Sequence, residues 1–310
     1  MNHSFSSSQL AFVPKSLLGQ FLQFLRRPRY TVNVPTDHQG IVDILRLYPL
    51  ALLIVLPLGV ISAMIAANLQ SSNAVEDLAK TMSVVEILIL VVGVAPLWEE
   101  AVFRLPLRYT PSNLAIPISL GMILVVLMFV GKDLSKAVFL AFLGVVMVLG
   151  VALRFWLKEK VGSKTIHRFY EKWIGWLFYG LAISFGLVHL SNFTSLAGQA
   201  WLLAPLLVLP QTALGIFLGF IRLRYGFWWS VLTHAFHNAC ALTPLMLMRL
   251  GSDNLRSSMA AGVEAKNLAS TDYLILLVLM VFMFGGLLLC LITVWRLIAE
   301  WRSEEQQSQV

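Results

Sequence analysis

Apolar residues in this chain come in runs of about 20, broken by short charged stretches, and rarely alternate with polar ones. A helix rises about 1.5 Å per residue, so about 20 apolar residues cross the roughly 30 Å hydrocarbon layer of a bilayer. The runs fall at about 47–68, 83–105, 113–131, 137–157, 173–193, 200–221, 226–248 and 273–297. Backbone groups in lipid must be satisfied within the protein, and the alternation of barrel strands is missing, so these runs predict helices. The expected fold is all-α, a polytopic transmembrane helical bundle of about eight spans. Residues 1–46 would be an N-terminal segment with a basic, partly amphipathic stretch at 9–30 lying on the membrane surface. The transmembrane domain would cover 47–298 and a tail 299–310.

Composition agrees with that pattern. Of 310 residues, 58% are hydrophobic and 13% charged, with a mean hydropathy of +0.78; soluble domains are about one quarter charged. A net charge of +7 could suggest nucleic acid. The Lys and Arg residues instead lie between apolar runs, as topology signals, and no nucleic-acid partner is expected. With the N-terminus inside, most of them fall on the cytoplasmic side, densest in 154–172, which predicts a multi-pass protein with both termini cytoplasmic, in the inner membrane if bacterial. Cys240 and Cys290 lack CxxC or Cys/His spacing, so neither a disulfide framework nor a thiolate metal site is expected. Gly215-x-x-x-Gly219 and Gly285-Gly286 would allow close helix approach. Trp228 and Trp229 fit an interfacial aromatic belt.

Charged groups inside spans are costly and therefore candidates for function. Glu99 and Glu100 end the second run, His189 lies in the fifth, and His234, His237 and Asn238 lie in the seventh. Residues four apart share a helix face. Glu100 and Arg104 can therefore pair, while Glu99 is turned away from that face. Phe185 stacks one turn before His189, and His234 shares a face with Asn238. Glu86, near the end of its run, is not counted with them. A carboxylate, two imidazoles and a carboxamide suit hydrolysis: a base takes a proton from water and a donor supports the oxyanion. Two His and one Glu could alternatively hold Zn²⁺ with an open position for water.

The sequence resembles the CAAX protease and bacteriocin-processing (CPBP, or Abi) family of intramembrane proteases. Its three motifs read here, in the family's order, as Glu99-Glu100-AVF-Arg104, Phe185-GLV-His189 and His234-AFH-Asn238. A Leu-Gly-rich span, a short basic turn and an aromatic precede the third motif, as in the family. The core of the resemblance is about 83–248. It implies an intramembrane endopeptidase acting on membrane-associated peptide or protein substrates within the bilayer. Glu99 would activate water, His189 and His234 would position it or bind a metal, and Asn238 would stabilise the oxyanion. Glu100 and Arg104 would orient Glu99, and Zn²⁺ is the candidate cofactor. Where the family commonly follows the motif-one Arg with Gly, this chain has Leu105-Pro106, so a different turn is expected. About 80 residues, enough for two extra spans, separate the first and second motifs. A catalytically inactive scaffold or immunity-type protein of the same fold, or a proton-coupled transporter, are the alternative readings.

Overall fold

The computed structural model describes residues 16–29, 37–69, 71, 77–78, 81–129, 135–160, 163–193, 198–261 and 268–308. All regular structure among them is helical. Away from their ends, the described residues of the apolar runs are helical, except that 200–221 is broken at Val208. α1 is Leu17–Arg26 and α2 is Asp37–Asn68. α3 covers 84–103, as Val84–Ile87, a π-helical Leu88–Val94 and Ala95–Phe103. α4 is Pro111–Phe129, α5 Lys136–Lys160 and α6 Ser163–Val188. Short turns at Gly198–Leu203 and Ala204–Leu207 lead into α7, Leu209–Arg224. α8 is Phe227–Arg249 and α9 is Asp253–Ala261. α10 covers 270–308, with a π-helical Val281–Gly285 in its middle.

Among the described residues four helices, α2, α5, α6 and α10, are long and apolar enough to cross a membrane. A fifth is added if the pair Trp201–Leu207 and Leu209–Arg224, bent by 40°, counts as one span. The remaining runs are helical but short or diluted by polar side chains; α3 and α8, which carry site residues, are of the second kind.

α7 forms the centre, packed against α6, α2 and α8. Its glycines allow this. A Cβ on Gly215 would stand 3.2 Å from the Ala182 carbonyl oxygen, and one on Gly219 only 2.7 Å from the Phe178 ring. The turn from α7 to α8 uses Gly226 at φ 114°, a left-handed conformation that only glycine adopts cheaply. Gly285 and Gly286 behave otherwise. Among the described residues nothing lies within 4 Å of a Cβ at either, so no close approach by a described helix uses the space they leave. Trp228 is 66% exposed, as a residue facing lipid headgroups would be.

The apolar side of α1 is taken up by protein. Leu17, Leu18 and Phe21 are buried with Phe217, Phe220, Ile221 and Leu297, and Phe21 meets the Phe220 ring edge-on at 4.9 Å. The stretch at 9–30 is therefore helical from Leu17 and docked on the bundle, while 9–15 and 30 lie outside the described residues. α6 begins ten residues before the expected 173, because the basic 163–172 stretch is helical as well. α10 continues through most of the expected tail. The insertion between the first two motifs is α4 and α5, packed on each other. Cys240 and Cys290 are free thiols.

Candidate active site

α3 delivers two carboxylates to different places. Helical geometry turns Glu99 about 100° from Glu100. Glu100 points inward and is completely buried. A buried carboxylate needs compensating donors, and three surround it. Arg104, one turn on, has Nε 3.5 Å from Oε1. His234 Nδ1 lies 3.0 Å from the same oxygen. Ser230 donates its hydroxyl to Oε2. The guanidinium carbon of Arg104 lies over the Phe185 ring, 4.1 Å from its centroid; burial against an aromatic face suits a delocalised cation.

Phe185 is the hub of the site. Fully buried on α6, it meets His189 at 4.7 Å and His234 at 5.7 Å between ring centroids, both edge-on. It also meets Phe103 at 5.5 Å. The aromatic in the second motif thus carries the motif-one Arg and spaces the two imidazoles. Gly215 permits this, since its missing side chain leaves 3.1 Å between an added Cβ and the Phe185 ring.

His189 sits where α6 tightens into a 3-10 turn, His189–Asn192. Its Nδ1 is 2.7 Å from the Phe185 carbonyl oxygen. A carbonyl only accepts, so Nδ1 carries hydrogen and, in the neutral ring, Nε2 is an acceptor. The same logic applies to His234, whose Nδ1 faces the Glu100 carboxylate. Both Nε2 atoms point at Glu99. Its Oε2 lies 3.9 Å from His189 Nε2 and 3.6 Å from His234 Nε2. Those separations exceed a direct hydrogen bond, and Oε2 is buried with no hydrogen-bond partner among the described residues. The Glu99 side chain as a whole is 24% exposed and that of His189 18%, against 3% for His234. The cluster opens at Glu99 and His189 and is sealed behind them.

Asn238, one turn beyond His234, also reaches α3. Its Nδ2 donates to the Val91 carbonyl oxygen at 2.8 Å, in the π-helical part of α3. A π turn widens the helix and disturbs its regular bonding, which leaves carbonyls open to side chains. The contact fastens α8 to α3 two turns before Glu99. His237, on the same helix, bonds Tyr48 OH through Nδ1 at 3.2 Å. Glu86, left out of the cluster, closes a capping box with Ser83.

Arg104 ends α3, and Leu105–Leu107 makes a 3-10 turn where a glycine turn is usual in the family. The substitute is held by neighbours. Tyr170 OH donates to the Pro106 carbonyl at 2.6 Å, and Arg222 Nε donates to the Arg104 carbonyl at 3.0 Å.

Spacing in the sequence singled out Glu99, Glu100, Arg104, His189, His234 and Asn238; the fold brings the first five together, while Asn238 bonds the Val91 carbonyl. Ser230 was missed. One signal for it exists, since Ser230, His234 and Asn238 follow one another at four-residue steps on α8.

Among the described residues no group of three or more His, Cys, Asp or Glu side chains is arranged to hold a metal ion. Tetrahedral Zn²⁺ at bond lengths near 2.0 Å would draw its ligand atoms to about 3.3 Å of one another. The Glu99–His189 and Glu99–His234 separations of 3.9 and 3.6 Å are wider.

Residues 81–240 match the family described as type II CAAX prenyl endopeptidase, Rce1-like. That match spans just over half of the chain and includes all three motifs. The chain belongs to this family. It is an integral membrane protein and a protease of the CAAX type, as the resemblance led us to expect. No curated protein and no solved structure matches it.

Proposed function

We propose that this CAAX-type protease cleaves peptide bonds of membrane-associated substrates with a water molecule activated by Glu99. The observation that carries the reading is the convergence of three acceptor atoms, Glu99 Oε2, His189 Nε2 and His234 Nε2, with no donor among them. A water between them gives its two hydrogens to two of these atoms and turns a lone pair outward. Its oxygen then attacks the scissile carbonyl carbon, Glu99 takes the proton, and the carbonyl π electrons move to oxygen. As the oxyanion electrons re-form the C=O bond and the C–N bond breaks, the proton passes from Glu99 to the departing amine, leaving a carboxylic acid and an amine. Asn238 uses one amide hydrogen on Val91 and keeps its second N–H for the developing oxyanion. Glu100 and Arg104 act from behind, holding the His234 ring. No step passes through a metal.

The family's description makes prenylated CAAX peptides the first substrates to test. The placement of Lys and Arg supports both termini in the cytoplasm.

Single substitution in the purified protein tests the reading. Glu99→Gln, His189→Ala and His234→Ala each lower cleavage of a membrane-anchored reporter by at least about 100-fold. Wild-type turnover in Glu99→Gln overturns it. So does proton-coupled uptake in proteoliposomes with no proteolysis. Activity that disappears on chelation and returns with stoichiometric Zn²⁺ overturns the metal-free step.

A further inference from the structure

Ser230 is absent from all three motifs and stands in an apolar stretch of α8, yet it is completely buried and touches a charge. Its hydroxyl has one hydrogen and two acceptors within reach, Glu100 Oε2 and, at 2.9 Å, the Leu218 carbonyl oxygen. The carboxylate is the stronger acceptor. Leu218 belongs to α7, so Ser230 stands where α7, α8 and the end of α3 meet.

Each oxygen of Glu100 has a separate job. Oε1 faces His234 Nδ1 and Arg104 Nε, and Oε2 faces Ser230. A carboxylate held only through Oε1 can still rotate about its terminal torsion, which is broad in glutamate. Fixing Oε2 removes that freedom and keeps Oε1 opposite Nδ1. Nδ1 then carries the hydrogen, and Nε2 faces Glu99 as an acceptor.

We infer that Ser230 is a positioning residue for the hydrolytic reaction, acting through Glu100 to fix the tautomer and orientation of His234. The inference rests on the water-activation reading and adds a link behind it. Ser230 touches neither substrate nor water, so its loss lowers turnover without weakening substrate binding.

The experiment uses the full chain in proteoliposomes with a membrane-anchored peptide reporter. Ser230→Ala lowers kcat about 10- to 100-fold, leaves KM within about twofold, and, because Glu100 Oε2 loses its donor, lowers the thermal midpoint about as far as Asn238→Ala does while the protein stays folded. Ser230→Cys fills the same space with a weak donor, so its kcat falls as well; a purely packing role would leave that variant at wild-type turnover. In a Glu100→Gln background Ser230→Ala costs nothing further, because the group it acts on is already altered. Wild-type kcat in both Ser230 variants overturns the inference, as does an undiminished loss in the Glu100→Gln background. The two readings fail separately. If Glu99→Gln is inactive while Ser230→Ala is fully active, only the role of Ser230 falls; if Glu99→Gln turns over normally, the water step falls.

Discussion

Gly219 and Gly285 look alike in sequence, each a small residue in an apolar helix, but their surroundings are opposite. At Gly219 the ring of Phe178 presses where a side chain would begin, whereas around Gly285 there is open space. The same contrast holds for whole helices. The apolar windows of α5 and α10 are 6% buried, against 28% for that of α6. Lipid asks only that a helix be apolar, so the outer helices carry little positional information. The centre must hold a buried ion pair, two imidazoles and an aromatic hub at fixed distances, and there each atom matters.

Substitutions can break or sharpen that contrast, beginning with the largest expected change in stability. Arg104→Met removes the cation beside a fully buried Glu100 and costs about 3–5 kcal/mol, read as a fall in the denaturation midpoint. Asn238→Ala releases the Val91 carbonyl and costs about 1–3 kcal/mol; hydrogen exchange at the π-helical part of α3 rises with it. Gly219→Ala forces Phe178 aside for about 1–3 kcal/mol. The smallest effect belongs to Gly285→Ala. With nothing to strike, the added methyl leaves stability unchanged or raises it by less than about 1 kcal/mol. If Gly219→Ala and Gly285→Ala behave alike in thermal melts, the distinction between a specified centre and a permissive edge is lost.

Much of this was readable from sequence because lipid and helix periodicity impose simple rules. Among the described residues the apolar runs are helical apart from their ends and the break at Val208, and residues four apart do meet one another, as Glu100 and Arg104 show. Other features carried no such signal. The start of α6 at Ser163 lies in basic sequence that an apolarity criterion passes over. Ser230 was hidden because a hydroxyl in an apolar helix usually satisfies itself on its own backbone, as Thr233 and Thr243 do on α8. The partner of Asn238 depends on a π turn, for which composition gives no warning. At Gly285 and Gly286 the small size that would permit contact does not bring a neighbour from among the described residues.

The closure of the bundle bears on how the chain is made. Arg46 on α2 pairs with Glu300 on α10, the backbone N–H of Ser16 reaches Glu304 at 2.9 Å, and Leu297 completes the cluster that holds α1. Synthesis is directional, and α10 leaves the ribosome after every residue of the Glu–His cluster. The early helices must therefore wait in the membrane with their α10-facing surfaces unmet. An insertion pulse-chase would then show α1, already met by Phe217, Phe220 and Ile221 of α7, gaining further protection from protease once α10 is in place.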